Sequence, residues 1–188
     1  MATFSIHSLW KDWKEVVYFL GKVVLIYGTW RIIRYFGDTY PNFLFGGWAA
    51  AYEFVAQKLV QGASIILTVL GYTHEHYGRI LIIEGTRGIR VENLCVGFPS
   101  FFIFSGLILG FGNNWRDKIW YIPLGVSLIY LINIGRILAL ALFQIYSTKY
   151  FDLAHNYFYV YITYALIFIL VAFWMEKLAY KKHNISAS

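Results

Sequence analysis

Three apolar stretches dominate the C-terminal half of this chain, at about residues 96–112, 119–146 and 155–175, and each is long enough to cross a hydrocarbon core of about 30 Å as a helix. A fourth, VVYFLGKVVLIYGTWRIIRYF at 16–36, has the same reach, with Trp30, Arg31 and Arg34 suited to an interfacial end. Across 188 residues the chain is 59% hydrophobic and 14% charged, too little polar material to clothe a soluble globule. A membrane protein is the reading these features support. The first apolar stretch begins near Val16, carries Lys22 and lacks a small-residue cleavage site, so it is expected to stay attached as a helix and not to act as a signal peptide.

Between these stretches lie shorter units. GDTYPNFLFGG reads as a loop, because Gly37, Pro41, Gly46 and Gly47 interrupt helical periodicity. In residues 49–71, Glu53, Gln57, Gln61, Ser64 and Thr68 recur at steps of four, four, three and four, which predicts a helix with one polar face. Such a helix suits an interfacial or bundle-packed position better than a lipid-facing span. From Arg79 to Val91, RILII and GIRV are β-prone runs on either side of EGTRG, predicting a small hairpin outside the bilayer. GNNWRDK is a short polar turn that makes the flanking helices antiparallel. In EKLAYKKHNISAS, Lys177, Lys181 and Lys182 favour a cytoplasmic C-terminus under the positive-inside rule.

The expected fold is therefore an all-α integral membrane protein in one domain, residues 1–188. It has four spanning helices, or five if 49–71 also cross, with an interfacial amphipathic helix and an extracytoplasmic β-hairpin. Lys11, Lys14 and Lys22 favour an N-terminus on the inside. The formal charge of +6 falls at segment ends, which fits contact with anionic headgroups and argues against nucleic acid as a partner. One cysteine, Cys95, allows neither an internal disulfide nor a cysteine-based zinc site.

Depth along the helices singles out three residues. With the cytoplasmic level set at Asn113, Lys118 and Glu176, Cys95 lies 18 positions from the first, Arg136 18 from the second and His155 21 from the third. At a rise of about 1.5 Å per residue these separations are roughly 27, 27 and 31 Å. Residues from three helices thus reach the same opposite face. A cysteine nucleophile acts as the thiolate. Cys95 stands just before a helix start marked by Gly97 and Pro99, where free amides and the macrodipole favour an anion. Arg136 supplies a permanent positive charge for a thiolate or a tetrahedral intermediate, and Asn133 one turn earlier shares its face. His155 follows Asp152 by three positions, the spacing of an N-cap to the third helical residue. The helix start disfavours imidazolium and the carboxylate favours it, so either can decide how this general acid or base titrates.

VENLCVGFPSFFIF, LINIGRILALALF and LAHNYFYVYITY together resemble the core of the exosortases and archaeosortases, over about residues 79–175. The resemblance implies a catalytic triad of Cys95, Arg136 and His155, the histidine matching the bacterial exosortase branch. It implies cleavage of exported proteins at a C-terminal sorting signal made of a short motif, a transmembrane helix and a basic tail. A thioester acyl-enzyme on Cys95 would then pass the protein to an envelope acceptor of unknown identity, at the outer face of a bacterial cytoplasmic (inner) membrane. Val96 and Phe98 depart from the commoner family residues around the motif glycine. Arg90 and Glu92, on one side of a strand, are candidates for substrate binding together with Asn133, against the plainer reading of Arg87, Arg90 and Glu92 as a solvated charged hairpin.

No cofactor is expected. His74 and His76 would share one side of a strand, but no third ligand is identifiable, so no metal site is expected. Tyr157, Tyr161, Tyr164 and Phe168 form a stripe open to substrate, packing or interfacial anchoring. Two rivals use the same chain differently: a cysteine protease that releases product to water, and a non-catalytic scaffold or small transporter in which Arg136 is structural.

Overall fold

The computed structural model describes residues 6–39, 46–112, 114–146 and 159–179. Helix α1 (Ile6–Thr39) and helix α2 (Gly46–Val69) precede three short strands, β1 (His74–Tyr77), β2 (Ile80–Ile83) and β3 (Ile89–Arg90). A 3-10 turn (Asn93–Cys95) leads into α3 (Phe98–Gly110), α4 (Trp115–Tyr146) and α5 (Tyr159–Phe173), the last continuing as a π-helical segment (Trp174–Ala179).

Of the described helices, two are long and apolar enough to cross a membrane, Trp115–Tyr146 and Tyr161–Leu178. The expected span at 96–112 is shorter: α3 has 13 residues, about 20 Å. Gly97, at φ 88°, and Pro99 in the first turn delay its start, and the residues before it are used in the 3-10 turn. The expected span at 16–36 lies within α1, whose Lys22, Arg31 and Arg34 interrupt the apolar run. Lys22 is accommodated. Its ammonium donates to Gly110 O at 2.6 Å and lies over the rings of Tyr18 and Phe111. Many large apolar side chains on these helices are exposed, among them Val24 and Leu25 on α1, Leu131 on α4 and Phe168 and Ile169 on α5. So extensive an apolar exterior is stable against lipid and not against water.

Two buried clusters divide the molecule into storeys. The first joins α3, α5 and the N-terminal half of α4 through Phe104, Ile108, Tyr121, Ile129, Ile167 and Trp174. α1 lies antiparallel on α3, with Lys22, Ile26 and Trp30 meeting Gly110, Gly106 and Phe102 in turn. Lys118 donates to Leu109 O at 2.8 Å, so two lysines occupy carbonyls at the end of α3. The second storey joins α2, the sheet, the 3-10 turn and the C-terminal half of α4. Its α2 face is Ala56, Leu59, Val60, Ala63 and Leu67, all fully buried at helical spacing. Between the storeys sit Trp30, Trp48, Tyr52, Phe98 and Phe102, with ring centroids 4.6–5.6 Å apart.

Two residues of the α2 polar stripe, Glu53 and Ser64, meet the sheet, while Gln61 is exposed and accepts from Lys58 Nζ at 3.0 Å. Arg79 Nε donates to Glu53 Oε2 at 2.5 Å, and Ser64 Oγ lies 2.7 Å from His74 Nε2 and 3.2 Å from His76 Nδ1. His74 Nδ1 is 2.9 Å from Tyr72 O, an acceptor only, so that nitrogen carries the proton and a neutral His74 accepts from Ser64. The sheet itself has one strand more than the expected hairpin. β2 and β3 pair antiparallel around the turn at 84–88 (Leu81 with Ile89, Ile80 with Arg90), and β1 adds on the far side of β2 through a turn begun by Gly78 at φ 55°. Leu81, Ile83, Ile89 and Val91 alternate inward.

Gly125 of α4 lies against the Phe104 ring, where a Cβ would overlap ring carbons. Gly125→Ala is expected to lower the Tm of the detergent-solubilised protein, by overpacking of about 1–3 kcal/mol. Gly135→Ala, which meets nothing within 4 Å, is expected to leave it unchanged or raise it.

Candidate active site

Cys95 owes its position to the elements on either side of it. It closes the 3-10 turn with Cys95 N donating to Glu92 O at 2.8 Å, and Gly97 then turns the chain into α3 in a left-handed conformation. A Cβ on Gly97 would overlap Asn133 Nδ2 on α4, so glycine is required both by dihedral and by space. The turn is also tied sideways. Arg79, already bonded to Glu53, donates from Nη1 to Asn93 Oδ1 at 2.6 Å, and Val91 N donates to Arg79 O at 2.9 Å. A line of contacts thus runs from α2 through the sheet to the residues carrying Cys95.

Beside Cys95 opens a pocket of about 280 Å³, lined on the sheet side by Arg87, Gly88, Ile89, Arg90 and Val91 and on the α4 side by Arg136, Ile137, Leu140 and Gln144. Cys95 is 7% exposed. Three of the lining residues are arginines and none is acidic. A guanidinium-rich, partly apolar wall next to a thiol can hold a carbonyl oxygen as it becomes an oxyanion.

Of the residues singled out from the sequence, Cys95, Arg136 and Arg90 line this one pocket. Asn133 is buried at 3% exposure beneath it, packed on Gly97, and its Nδ2 has no hydrogen-bond partner among the described residues. Glu92 is exposed and pairs with Arg90 at 3.5 Å. His155, with Asp152 and Tyr157, lies outside the described residues. Tyr161, Tyr164 and Phe168 of the aromatic stripe point outward, 47–74% exposed. Among the described residues no group of three or more His, Cys, Asp or Glu could hold a metal ion. Gln144 and Gly88 were not anticipated. Gln144 stands two turns beyond Arg136 on the same helical face, and that spacing was the available signal. Its Nε2 donates to Gly88 O at 2.9 Å and fixes the sheet to α4.

The chain matches the family described as transmembrane exosortase (Exosortase_EpsH) over residues 13–178, and it belongs to that family. It is accordingly a membrane protein of a family of sorting enzymes of the cysteine peptidase and transpeptidase kind. No match was found among curated proteins or among solved structures.

The Glu53 carboxyl is held below its ordinary value, first by the hydrogen bond from Gln57 and then by that from Arg79. A depressed carboxylate contributes stability above its unfolded value of about 4.3, and loses it as pH falls through the lower folded value. Amide hydrogen exchange at Val91, Glu92 and Cys95, corrected for intrinsic rate, is therefore expected to quicken below about pH 4. Glu53→Gln is expected to show the faster exchange already at pH 7 and to lose the acid step.

Proposed function

We propose that the chain is a membrane-embedded cysteine transpeptidase that cleaves C-terminal sorting signals of exported proteins and transfers them to an envelope acceptor. The observation that carries this reading is the convergence of Cys95, from the turn before α3, and Arg136, from α4, on one pocket. Family membership adds the reaction class.

In the first step the Cys95 thiolate forms a bond to the scissile carbonyl carbon, and the carbonyl electrons move onto oxygen, which faces Arg136. Collapse of that tetrahedral species breaks the carbon–nitrogen bond. The leaving amine takes a proton from His155, and the exported protein remains as a thioester. An acceptor amine then attacks the thioester, gives its proton to His155 and releases the thiolate. The chemistry is assigned to the extracytoplasmic face of a bacterial cytoplasmic membrane, with the C-terminus inside, a reading supported by Lys177, Lys181 and Lys182. Asn133 holds the Cys95 turn from below, and Arg90 with Glu92 borders the substrate path.

The test is co-expression with an exported protein ending in a short motif, a transmembrane helix and a basic tail, followed by mass analysis of its C-terminus. Cys95→Ser and Cys95→Ala are expected to abolish processing. Arg136→Ala is expected to lower it by about 10²–10³-fold and His155→Ala by about 10²–10⁴-fold. Unchanged processing in Cys95→Ala overturns the covalent mechanism. Added hydroxylamine captured as a C-terminal hydroxamate distinguishes transfer from release to water.

A further inference from the structure

The pocket beside Cys95 is bounded on one side by the open edge of a sheet. In the order β1-β2-β3, β3 is a terminal strand, and no strand pairs with its other side among the described residues. The hydrogen-bond phase fixes which of its main-chain groups are turned that way. Val91 N donates to Arg79 O, so the bonded antiparallel pairs are those of Val91 with Arg79 and, two residues on, Ile89 with Leu81. Arg90, opposite Ile80 between them, has its N–H and C=O directed away from β2. On either side of Arg90 the edge carbonyls are occupied. Gly88 O accepts from Gln144, Gly88 N donates to Thr86 Oγ1 at 3.3 Å, and Glu92 O accepts from Cys95 N. One donor and one acceptor on Arg90 are left, in a wall that also carries the candidate nucleophile.

The facing wall has the dimensions of an extended peptide. From Arg136 to Gln144, α4 advances eight residues, about 12 Å at its usual rise. An extended chain covers that length with about four residues. Ile137 and Leu140 between these ends, with Ile89 and Val91 opposite, give apolar cover that would shield main-chain hydrogen bonds from water.

We infer that the substrate binds as an added strand on β3, one of its residues exchanging two main-chain hydrogen bonds with Arg90, so that the neighbouring scissile carbonyl is presented to Cys95. This rests on the reading of Cys95 as nucleophile and adds to it a mode of recognition. Recognition through main-chain groups is tolerant of side chains, and leaves selectivity to the pocket walls and to the membrane helix that follows the cleavage point.

The probes are acetyl-tetraalanyl chloromethyl ketone and its mono-N-methylated forms, with iodoacetamide as a small electrophile. The rate of Cys95 alkylation is read by mass spectrometry on the detergent-solubilised full chain. Methylation of one amide is expected to slow alkylation by the peptide about tenfold, equivalent to about 1.4 kcal/mol, while methylation of either adjacent amide leaves it within about twofold. Arg90→Pro, which removes an outward N–H and no ladder bond, is expected to slow the peptide by a similar factor relative to Arg90→Ala, each rate being divided by that of iodoacetamide on the same variant. Arg90→Ala, which keeps the N–H, is expected to retain the single-position sensitivity. Equal sensitivity at all amides, or none, overturns strand addition whether or not Arg90→Pro folds. A Cys95 that reacts with iodoacetamide and with none of the peptides also overturns it and leaves the nucleophile in place; one inert to both overturns the nucleophile as well.

Discussion

The thickness of the hydrocarbon layer is the constraint from which the rest of the architecture follows. A spanning helix needs about 20 residues for about 30 Å, and α4 has 32 residues, about 48 Å at the usual rise. The surplus cannot be left bare, since its inward face carries Ile134, Ile137, Leu140 and Ala141. α2 and the sheet cover it, and the second cluster is the result. α3, at 13 residues, has the opposite mismatch. The 3-10 turn and Gly97 precede its start, and this places Cys95 in the second cluster beside α4. A long helix beside a short one leaves a step, and the pocket is on that step.

Polar groups in such a place have to be satisfied from within the protein, because an unpartnered donor or acceptor away from water costs about 1–3 kcal/mol. Arg79 does this for three elements together, reaching Glu53 on α2 and Asn93 in the turn while its own carbonyl accepts from Val91. Its ion pair with Glu53 has an exposed partner and would be weak if it stood alone. Its importance is geometric. The same guanidinium fixes the distance between α2 and the Cys95 turn, and Gln144 does the equivalent between α4 and the sheet through Gly88. The two walls of the pocket are thereby held by different residues.

Much of this was legible in the sequence, and what was not has identifiable causes. The apolar stretches became helices close to where length and turn residues put them, and α4 begins four residues earlier than the apolar run because Asn114 Oδ1 accepts from Arg116 N and Asp117 lies in the first turn. Depth reckoning along the helices put Cys95, Arg136 and His155 at one level; the first two line one pocket, and His155 lies outside the described residues. The periodicity of Glu53, Gln57, Gln61, Ser64 and Thr68 marked a helix, of which Glu53 and Ser64 meet the sheet while Gln61 is exposed. Its partner was illegible, since a polar stripe looks the same whether it meets headgroups or a sheet carrying Arg79, His74 and His76. β1 lay outside the expected hairpin, although His74 and His76 were read as sharing one side of a strand, because HEHY lacks the aliphatic run of RILII; it pairs on the outer side of β2 with a largely exposed face. Gln144 was missed for a related reason: one amide in an apolar helix acquires meaning only once Gly88 is opposite it.

A site of this kind divides the work of recognition between two phases. In the proposed reaction the exposed apolar faces of the long helices would hold a substrate's transmembrane helix by van der Waals packing, which allows sliding along and rotation about its axis. The pocket above supplies what that contact lacks, directional groups at fixed positions: the Arg136 guanidinium, and the main-chain donor and acceptor of Arg90 on a strand that Gln144 and Arg79 keep in place. On the proposed reading, the reacting bond would be defined by its distance from the end of the substrate's helix together with its register on the strand. Gly97 is part of that arrangement: its left-handed conformation leads the chain from the Cys95 turn into α3 against α4, where Asn133 leaves no room for a Cβ.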